Sequence, residues 1–177
     1  DLFNLYVWFE VFVISSFALL VLGSERAEID GAVKYAILNL TATTLFLVAA
    51  ALLYGAVGTL NMADLALLMR KETPAPVHAL AGLFLFGFAM KAAAFPLNFW
   101  LPASYHTPRI VVAALFGALL TKVGIYALLR VLVMIMPMGQ GTLGGVLGWA
   151  AAATMILGAL GALAQSDLRR LCGFLVI

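Results

Sequence analysis

The sequence predicts an all-α, polytopic bundle of membrane-spanning helices. Hydrophobic residues make up 65% of the 177 residues, charged residues only 10%, and the mean hydropathy is +1.12. A soluble domain needs about 25% charged residues to cover its surface, so this chain must be solvated by lipid. Its long apolar runs lack the period-two alternation of barrel strands, which leaves helices as the elements that satisfy their own backbone in a bilayer.

Five segments are long enough to cross a bilayer core, which needs about 20 apolar residues in a helix. They are Phe3–Leu22, Ala32–Val57, Ala79–Phe99, Ile110–Met136 and Leu143–Ala164. A sixth segment begins at Leu171, and a short interfacial helix is predicted over Met62–Met69. The chain starts at Asp1 without the marks of a signal peptide. It stops at Leu175-Val176-Ile177, inside an apolar run. We therefore expect residues 1–177 to be the central part of a single transmembrane domain in a longer chain.

The connections between these segments carry most of the charge, which indicates how the chain is oriented. Lysine and arginine prefer cytoplasmic loops. One side collects five basic residues, Arg26, Lys34, Arg109, Arg169 and Arg170. The other side collects Arg70 and Lys71, with Arg130 near its membrane edge. This excess places Asp1 outside and the Arg169-Arg170 tail in the cytoplasm. The basic residues form no stripe and the net charge is only +2, so no nucleic-acid partner is expected.

Three ionisable residues interrupt the apolar runs: Glu10, Lys91 and Lys122. A charge at the bilayer centre costs about 2.5–3.5 kcal/mol on insertion scales, so such residues are functional candidates that should face the bundle interior. Each has a structural alternative. Glu10, ~10 Å into its helix, can lie near the headgroups, and Lys91 can snorkel along its long stem. Lys122 is ~18 Å from either helix end, so its alternative is a buried ion pair with Glu10.

Pro96 predicts a break in the third span beside Lys91. Proline lacks an N–H and clashes with the carbonyl four residues back, which belongs to Ala92. Broken helices at membrane depth are tolerated where they line protein or a water-filled cavity. The alternative is an ordinary helix end at Phe95.

Polar side chains inside the spans also favour a polar path. They are Asn39, Thr41, Thr43, Thr44 and Thr121. The alternative for the threonines is a hydrogen bond to their own helix backbone, which is their more frequent role. Tyr126 lies four residues after Lys122 and therefore on the same face of its helix.

A set of one glutamate and two lysines is suited to moving protons. Removing a lysine from water opposes its charged form, and a nearby carboxylate favours that form again. The membrane potential supplies about 2.3 kcal/mol per charge per 100 mV, which is comparable to a shift of about two pKa units. Arginine could not take part in such a proton transfer, because it stays protonated. These residue types, held within apolar spans, thus predict a proton relay through Glu10, Lys91 and Lys122.

Several stretches resemble one family over essentially the whole chain. They are residues 1–11, 58–65, Lys91–Leu97, Phe99–Pro108, Leu119–Leu128 and Gly161–Arg170. Together they are similar to the D subunit of the Mrp-type multisubunit sodium/proton antiporters, within the wider antiporter-like family that includes membrane subunits of respiratory complex I. The chain departs from that pattern at Arg109, where the Mrp subunits carry a second proline or a small residue. It departs again at Gly173-Phe174-Leu175, where many relatives carry Ser-Phe-His.

The resemblance implies a role for each candidate residue. The glutamate, Glu10, tunes a first lysine, Lys91, in a broken helix, and a second lysine, Lys122, passes protons towards the centre of the membrane. Tyr126, Pro96 and His106 are accessory candidates. The implied cargo is protons and Na+ or another monovalent cation, and the implied partners are Mrp subunits A, B, C, E, F and G, in a bacterial plasma (inner) membrane. We expect no enzymatic activity, cofactor or metal site.

Two other functions fit the same residues. One is a redox-driven proton-pumping subunit of respiratory complex I or of a membrane-bound hydrogenase. The other is a structural membrane module with buried ion pairs and no transport.

Overall fold

The chain folds into a bundle of helices, as predicted. The computed structural model describes residues 1–71, 76–136 and 142–177, without the side chains of residues 142 and 143. Within these ranges there are eight α-helices and no strand. They are α1 (Leu2–Leu20), α2 (Arg26–Val57), α3 (Met62–Lys71), α4 (Val77–Ala92), α5 (Trp100–Tyr105), α6 (Ile110–Leu128), α7 (Thr142–Leu163) and α8 (Leu168–Val176). A π-helical segment, Leu129–Ile135, continues α6.

Four of the described helices are long and apolar enough to cross a membrane. They are α1, α2, α6 with its π-helical continuation, and the Gly144–Leu163 part of α7. The third predicted span, Ala79–Phe99, corresponds to α4, which has 16 residues and ends at Ala92. The short helix predicted over Met62–Met69 is α3, which extends to Lys71.

The second span begins earlier than its apolar pattern predicts, at Arg26 rather than Ala32. Glu25 and Glu28 form a capping box, in which each side chain accepts a backbone N–H of the other residue. One turn later Lys34 donates to Asp30 across 2.5 Å. These polar contacts stabilise the first turns of a helix without apolar burial, so hydropathy alone could not locate the helix start.

Two aromatic clusters hold the bundle together. In the first, Phe9 of α1 packs against Phe46 of α2 and Phe88 of α4. In the second, Tyr35 of α2 lies between Trp100 of α5 and Phe116 of α6. These rings are buried, and such pairs contribute about 0.5–1.5 kcal/mol each beyond the area they bury.

The short helix α5 docks on the start of α2. The buried Ser104 hydroxyl donates to the carbonyl of Gly31 at 2.9 Å. A Cβ at Gly31 would lie 2.6 Å from the Thr107 hydroxyl oxygen, so this close approach requires glycine. The contact brings the chain back into the bundle after α4 ends.

Candidate functional site

Lys91 lies inside the bundle, one residue before the end of α4. Its side chain is only 4% exposed, and its Nζ lies 4.8 Å from the centroid of the Phe9 ring. Among the described residues, the single ion pair within 4.0 Å is Lys34–Asp30, so no described carboxylate pairs with Lys91. The structure thus surrounds a lysine with aromatic and apolar side chains, where a charged ammonium is costly and a face of an aromatic ring is its best apolar neighbour.

The helix that carries Lys91 ends through a Schellman motif. The N–H of Ala94 donates to the carbonyl of Ala89 at 2.9 Å and that of Ala93 to the carbonyl of Met90 at 3.3 Å. Ala93 takes the left-handed conformation, with φ of 54°, that glycine usually supplies at this position. Because α4 has already ended at Ala92, the expected clash between Pro96 and the Ala92 carbonyl does not arise. The Phe95–Pro96 peptide is cis.

Side chains from other helices bind the backbone around this helix end. The indole Nε1 of Trp100 donates to the carbonyl of Met90 at 3.0 Å. The N–H of Phe95 donates to the Thr154 hydroxyl oxygen of α7 at 2.8 Å. Backbone groups that leave a helix inside an apolar environment need such partners. The sequence analysis did not identify Thr154 as a site residue. The feature that could have indicated it is a hydroxyl within an otherwise apolar span.

Gly124 brings α6 directly against the end of α4. A Cβ at this position would lie 2.7 Å from the Ala92 nitrogen and 3.0 Å from the Lys91 carbonyl carbon. Such distances cannot be accommodated without moving backbone. Gly124 therefore sets the distance between α6 and the residue after Lys91.

A small cavity adjoins Lys91. It has a volume of about 20 Å³ and is lined by Lys91, Asn39 and apolar side chains that include Phe9. A water molecule needs roughly 10–15 Å³ of such volume and two or more polar partners. Asn39 is 4% exposed, and its Nδ2 donates to the carbonyl of Tyr35 at 3.0 Å, which leaves its Oδ1 as an acceptor. The space and the polar groups fit one water molecule beside Lys91.

Lys122 lies on the other side of the α4 end, in a larger and more open cavity. Its Nζ donates to the Thr121 hydroxyl at 3.2 Å. The cavity has a volume of about 690 Å³ and is also lined by Ala92, Ala94 and Thr154. Lys122 is exposed within the described part of the chain, and it makes no ion pair with Glu10 there. The ion-pair alternative for these two residues is therefore wrong for this structure.

Glu10 lies on α1 at the edge of this arrangement. It is partly buried. The residue before it, Phe9, carries the ring that contacts Lys91. Within the described residues, Glu10 makes no ion pair with Lys91 inside 4.0 Å.

The accessory candidates lie farther away. Pro96 belongs to the non-helical segment between α4 and α5. Tyr126 is 55% exposed and is not among the described residues that line the Lys122 cavity. His106 follows α5, and its Nδ1 lies 2.7 Å from the Pro102 carbonyl oxygen. It lines a different cavity, of about 850 Å³, together with Asp30, Lys34 and Arg170.

The fold and the site define a polytopic helical membrane protein that buries a lysine where one of its helices ends. The chain belongs to the family described as NADH:quinone oxidoreductase/Mrp antiporter, transmembrane, which matches residues 1–175. The expected family membership is thereby confirmed.

The similar proteins include subunits of antiporters and of respiratory complexes. The chain is 44% identical to the D subunit of the Na(+)/H(+) antiporter of Alkalihalophilus pseudofirmus, over all of this chain and 36% of that protein. A chain of the archaeal membrane-bound sulfane sulfur reductase is 35% identical, with a TM-score of 0.92 over 100% of this chain and 37% of its own. A chain of the Mrp complex from Dietzia sp. DQ12-45-1b is 32% identical, with a TM-score of 0.89 over 99% of this chain and 33% of its own. The chain thus spans about a third of each relative.

Proposed function

We propose that this chain is part of a membrane subunit that exchanges Na+ or another monovalent cation for protons. The observation that carries the proposal is the Lys91 ammonium, buried against Phe9 without a described carboxylate in ion-pair distance. Burial opposes the charged form of a lysine and a nearby carboxylate favours it, so a change in the surroundings of Lys91 can drive uptake or release of a proton. The similarity to the D subunit of a Na(+)/H(+) antiporter supports cation exchange as the reaction.

The proton route runs through Glu10, Lys91 and Lys122. The two lysines lie on opposite sides of the α4 end, where Ala92, the neighbour of Lys91, lines the cavity that Lys122 also lines. A single water fits beside Lys91 and Asn39, and several fit beside Lys122. Glu10, the chain neighbour of the Phe9 that contacts Lys91, acts on the lysine through its charge.

We further propose that α4, residues 93–99 and α5 form one broken span. With α1, α2, α6 and α7 this makes five spans, and α8 begins a sixth. The non-helical backbone is supported by the bonds from Trp100 and to Thr154. Such support is what a break at membrane depth requires.

The proposed setting is a multi-pass subunit in a bacterial plasma membrane, assembled with other Mrp subunits and without an enzymatic reaction of its own. The support comes from the Mrp complex whose chain shares this fold with a TM-score of 0.89. Lipid and the rest of the complex would cover the apolar faces that the described residues leave exposed, such as those at Val111 and Trp149.

A second candidate function is a proton-pumping subunit of a redox-driven respiratory complex. The TM-score of 0.92 to a chain of an archaeal respiratory membrane complex favours it. The same lysines would move protons, and the energy would come from electron transfer elsewhere. Neighbouring genes for small Mrp-type subunits, as against iron–sulfur and quinone subunits, distinguish the two.

The test replaces the two lysines in the complete complex. Lys91→Ala and Lys122→Ala are each reconstituted in vesicles, and Na+-dependent pH changes inside are followed. We expect both variants to lose exchange while the complex assembles. Lys34→Ala is the matched control, because Lys34 is exposed and pairs only with Asp30.

Two results would count against the proposal. Normal exchange by correctly assembled Lys91→Ala and Lys122→Ala complexes would show that these lysines are structural. Equal loss in the Lys34→Ala control would show that the assay reports assembly and not the proton route.

A further inference from the structure

Thr154 is placed to act on the helix end that carries Lys91. It lies in the apolar α7, is 7% exposed, and lines the cavity that Lys122 also lines. No charged residue lies within α7. A hydroxyl in such a helix ordinarily bonds only to the carbonyl one turn back.

The Thr154 hydroxyl makes that bond and one more. It donates to the carbonyl of Ala150 at 2.6 Å, which directs its lone pairs away from its own helix. There it accepts the N–H of Phe95 at 2.8 Å, across 59 residues of sequence. The hydroxyl is therefore oriented by its bond to α7 and accepts a hydrogen bond from the segment after α4.

The Phe95 N–H has no partner within its own segment. The N–H groups of Ala93 and Ala94 already close the end of α4 on Met90 and Ala89. The N–H of Phe95 is the next donor along the chain, and leaving it without a partner in an apolar environment would be unfavourable. Among the described elements α7 packs mainly on α8, and this bond is a direct polar contact between α7 and the segment after α4.

We infer that Thr154 is a positioning residue for Lys91. Its hydroxyl fixes the backbone after the lysine and so sets where the ammonium lies between the Asn39 cavity and the Lys122 cavity. This role rests on the proposed proton route. It also means that a displacement of α7 at Thr154 is passed to the backbone after Lys91 through this hydrogen bond.

The test uses three variants in the complete complex, each purified and then reconstituted in vesicles. Thr154→Val keeps the shape and removes the acceptor, and Thr154→Ser keeps the hydroxyl. Thr41→Val is the control, because the exposed Thr41 hydroxyl bonds only to the carbonyl of Ile37, at 2.7 Å in its own helix. Amide hydrogen exchange over residues 92–99 and Na+-dependent proton exchange are both measured.

In Thr154→Val we expect the Phe95 amide hydrogen to exchange with solvent faster. We also expect the rate of Na+/H+ exchange to fall about tenfold, as for loss of a buried hydrogen bond. Thr154→Ser should restore both, and Thr41→Val should change neither. Unchanged amide exchange in Thr154→Val would overturn the inference, because the bond would not exist. Faster amide exchange with normal transport would overturn it as well, because the bond would not position Lys91.

The amide measurement keeps this inference separate from the proposed function. If Lys91→Ala still exchanges ions, the proton route is wrong whatever Thr154 does. If Lys91→Ala is inactive but Thr154→Val transports normally, the proton route stands and the positioning role falls.

Discussion

Lys91 and Ala93 lie close together, and each carries an energetic cost in the folded protein. Lys91 buries an ammonium beside Phe9, and Ala93 holds a left-handed conformation that a Cβ disfavours. Backbone conformations of this kind persist only where the surrounding structure enforces them, and they collect at functional sites. Here the enforcing contacts are the bonds at Met90, Ala89 and Thr154.

Replacing Lys91 with arginine tests whether its charge or its titration matters. Arginine keeps the positive charge but does not release its proton. We expect Lys91→Arg to lower Na+-dependent proton exchange in vesicles by about tenfold or more, as expected when a proton-transfer group is lost. Lys34→Arg, at an exposed pair, should leave exchange unchanged. Exchange at the normal rate in Lys91→Arg would mean that a fixed charge suffices.

Ala93→Gly tests the strain at the end of α4. A non-glycine residue in the left-handed region costs about 1–2 kcal/mol, and glycine removes part of it. We expect the variant complex to unfold at a higher temperature, by an amount corresponding to about 1 kcal/mol. Ala94→Gly is the control, because Ala94 is not among the described residues with positive φ. An equal gain in both variants would contradict the conformational explanation.

The sequence identified some residues of the site and missed others. Lys91 and Lys122 are conspicuous because charges rarely occur within apolar spans. Thr154 and Asn39 carry no such signal, since hydroxyl and amide groups in helices usually bond to their own backbone. Whether such a group makes a second bond depends on which helix lies opposite.

At the scale of the helices, the ends were harder to predict than the helices themselves. The start of α2 depends on the Glu25–Glu28 capping box, and the end of α4 on a Schellman motif centred at Ala93. An alanine at the left-handed position gives no local warning, because glycine is the usual residue there. Pro96 indicated that the helix is interrupted near this position. However, α4 ends at Ala92, before the proline ring could clash with a helical carbonyl.

Gly124→Ala tests the contact between α6 and the end of α4. The added methyl would overlap the Ala92 backbone, and relieving that overlap costs about 1–3 kcal/mol. We expect a lower melting temperature for the complex and reduced Na+/H+ exchange. Gly82→Ala in α4 is the control, because its Cβ would meet nothing within 4 Å. If Gly124→Ala behaves like Gly82→Ala, the contact does not set the position of Lys91.

At the scale of the whole molecule, the charged residues separate towards two ends. Asp30, Lys34 and Arg170 line one cavity, which agrees with the side to which the loop charges assign them. Arg70 and Lys71 end α3, which packs against the π-helical segment that contains Arg130. Which of these two ends faces the cytoplasm stays a prediction.

Cysteine labelling from each side of the membrane tests that orientation. Arg170→Cys and Lys71→Cys are made in a complex whose other cysteines have been replaced. A membrane-impermeant maleimide should modify Arg170→Cys only from the cytoplasmic side and Lys71→Cys only from outside, because basic residues are retained on the cytoplasmic side. The reverse pattern would invert the assignment of Asp1 to the outside.

The sequence by itself determined that this chain is a helical membrane protein, which family it resembles, and which charges lie within its spans. Those properties follow from hydropathy summed over about 20 residues and from rare charged positions, and both are local. Only the tertiary structure decided that Phe9 faces Lys91, that Gly124 touches Ala92 and that Thr154 binds Phe95. These contacts join residues far apart in the chain, and in lipid they depend on close packing between helices, which hydropathy does not encode.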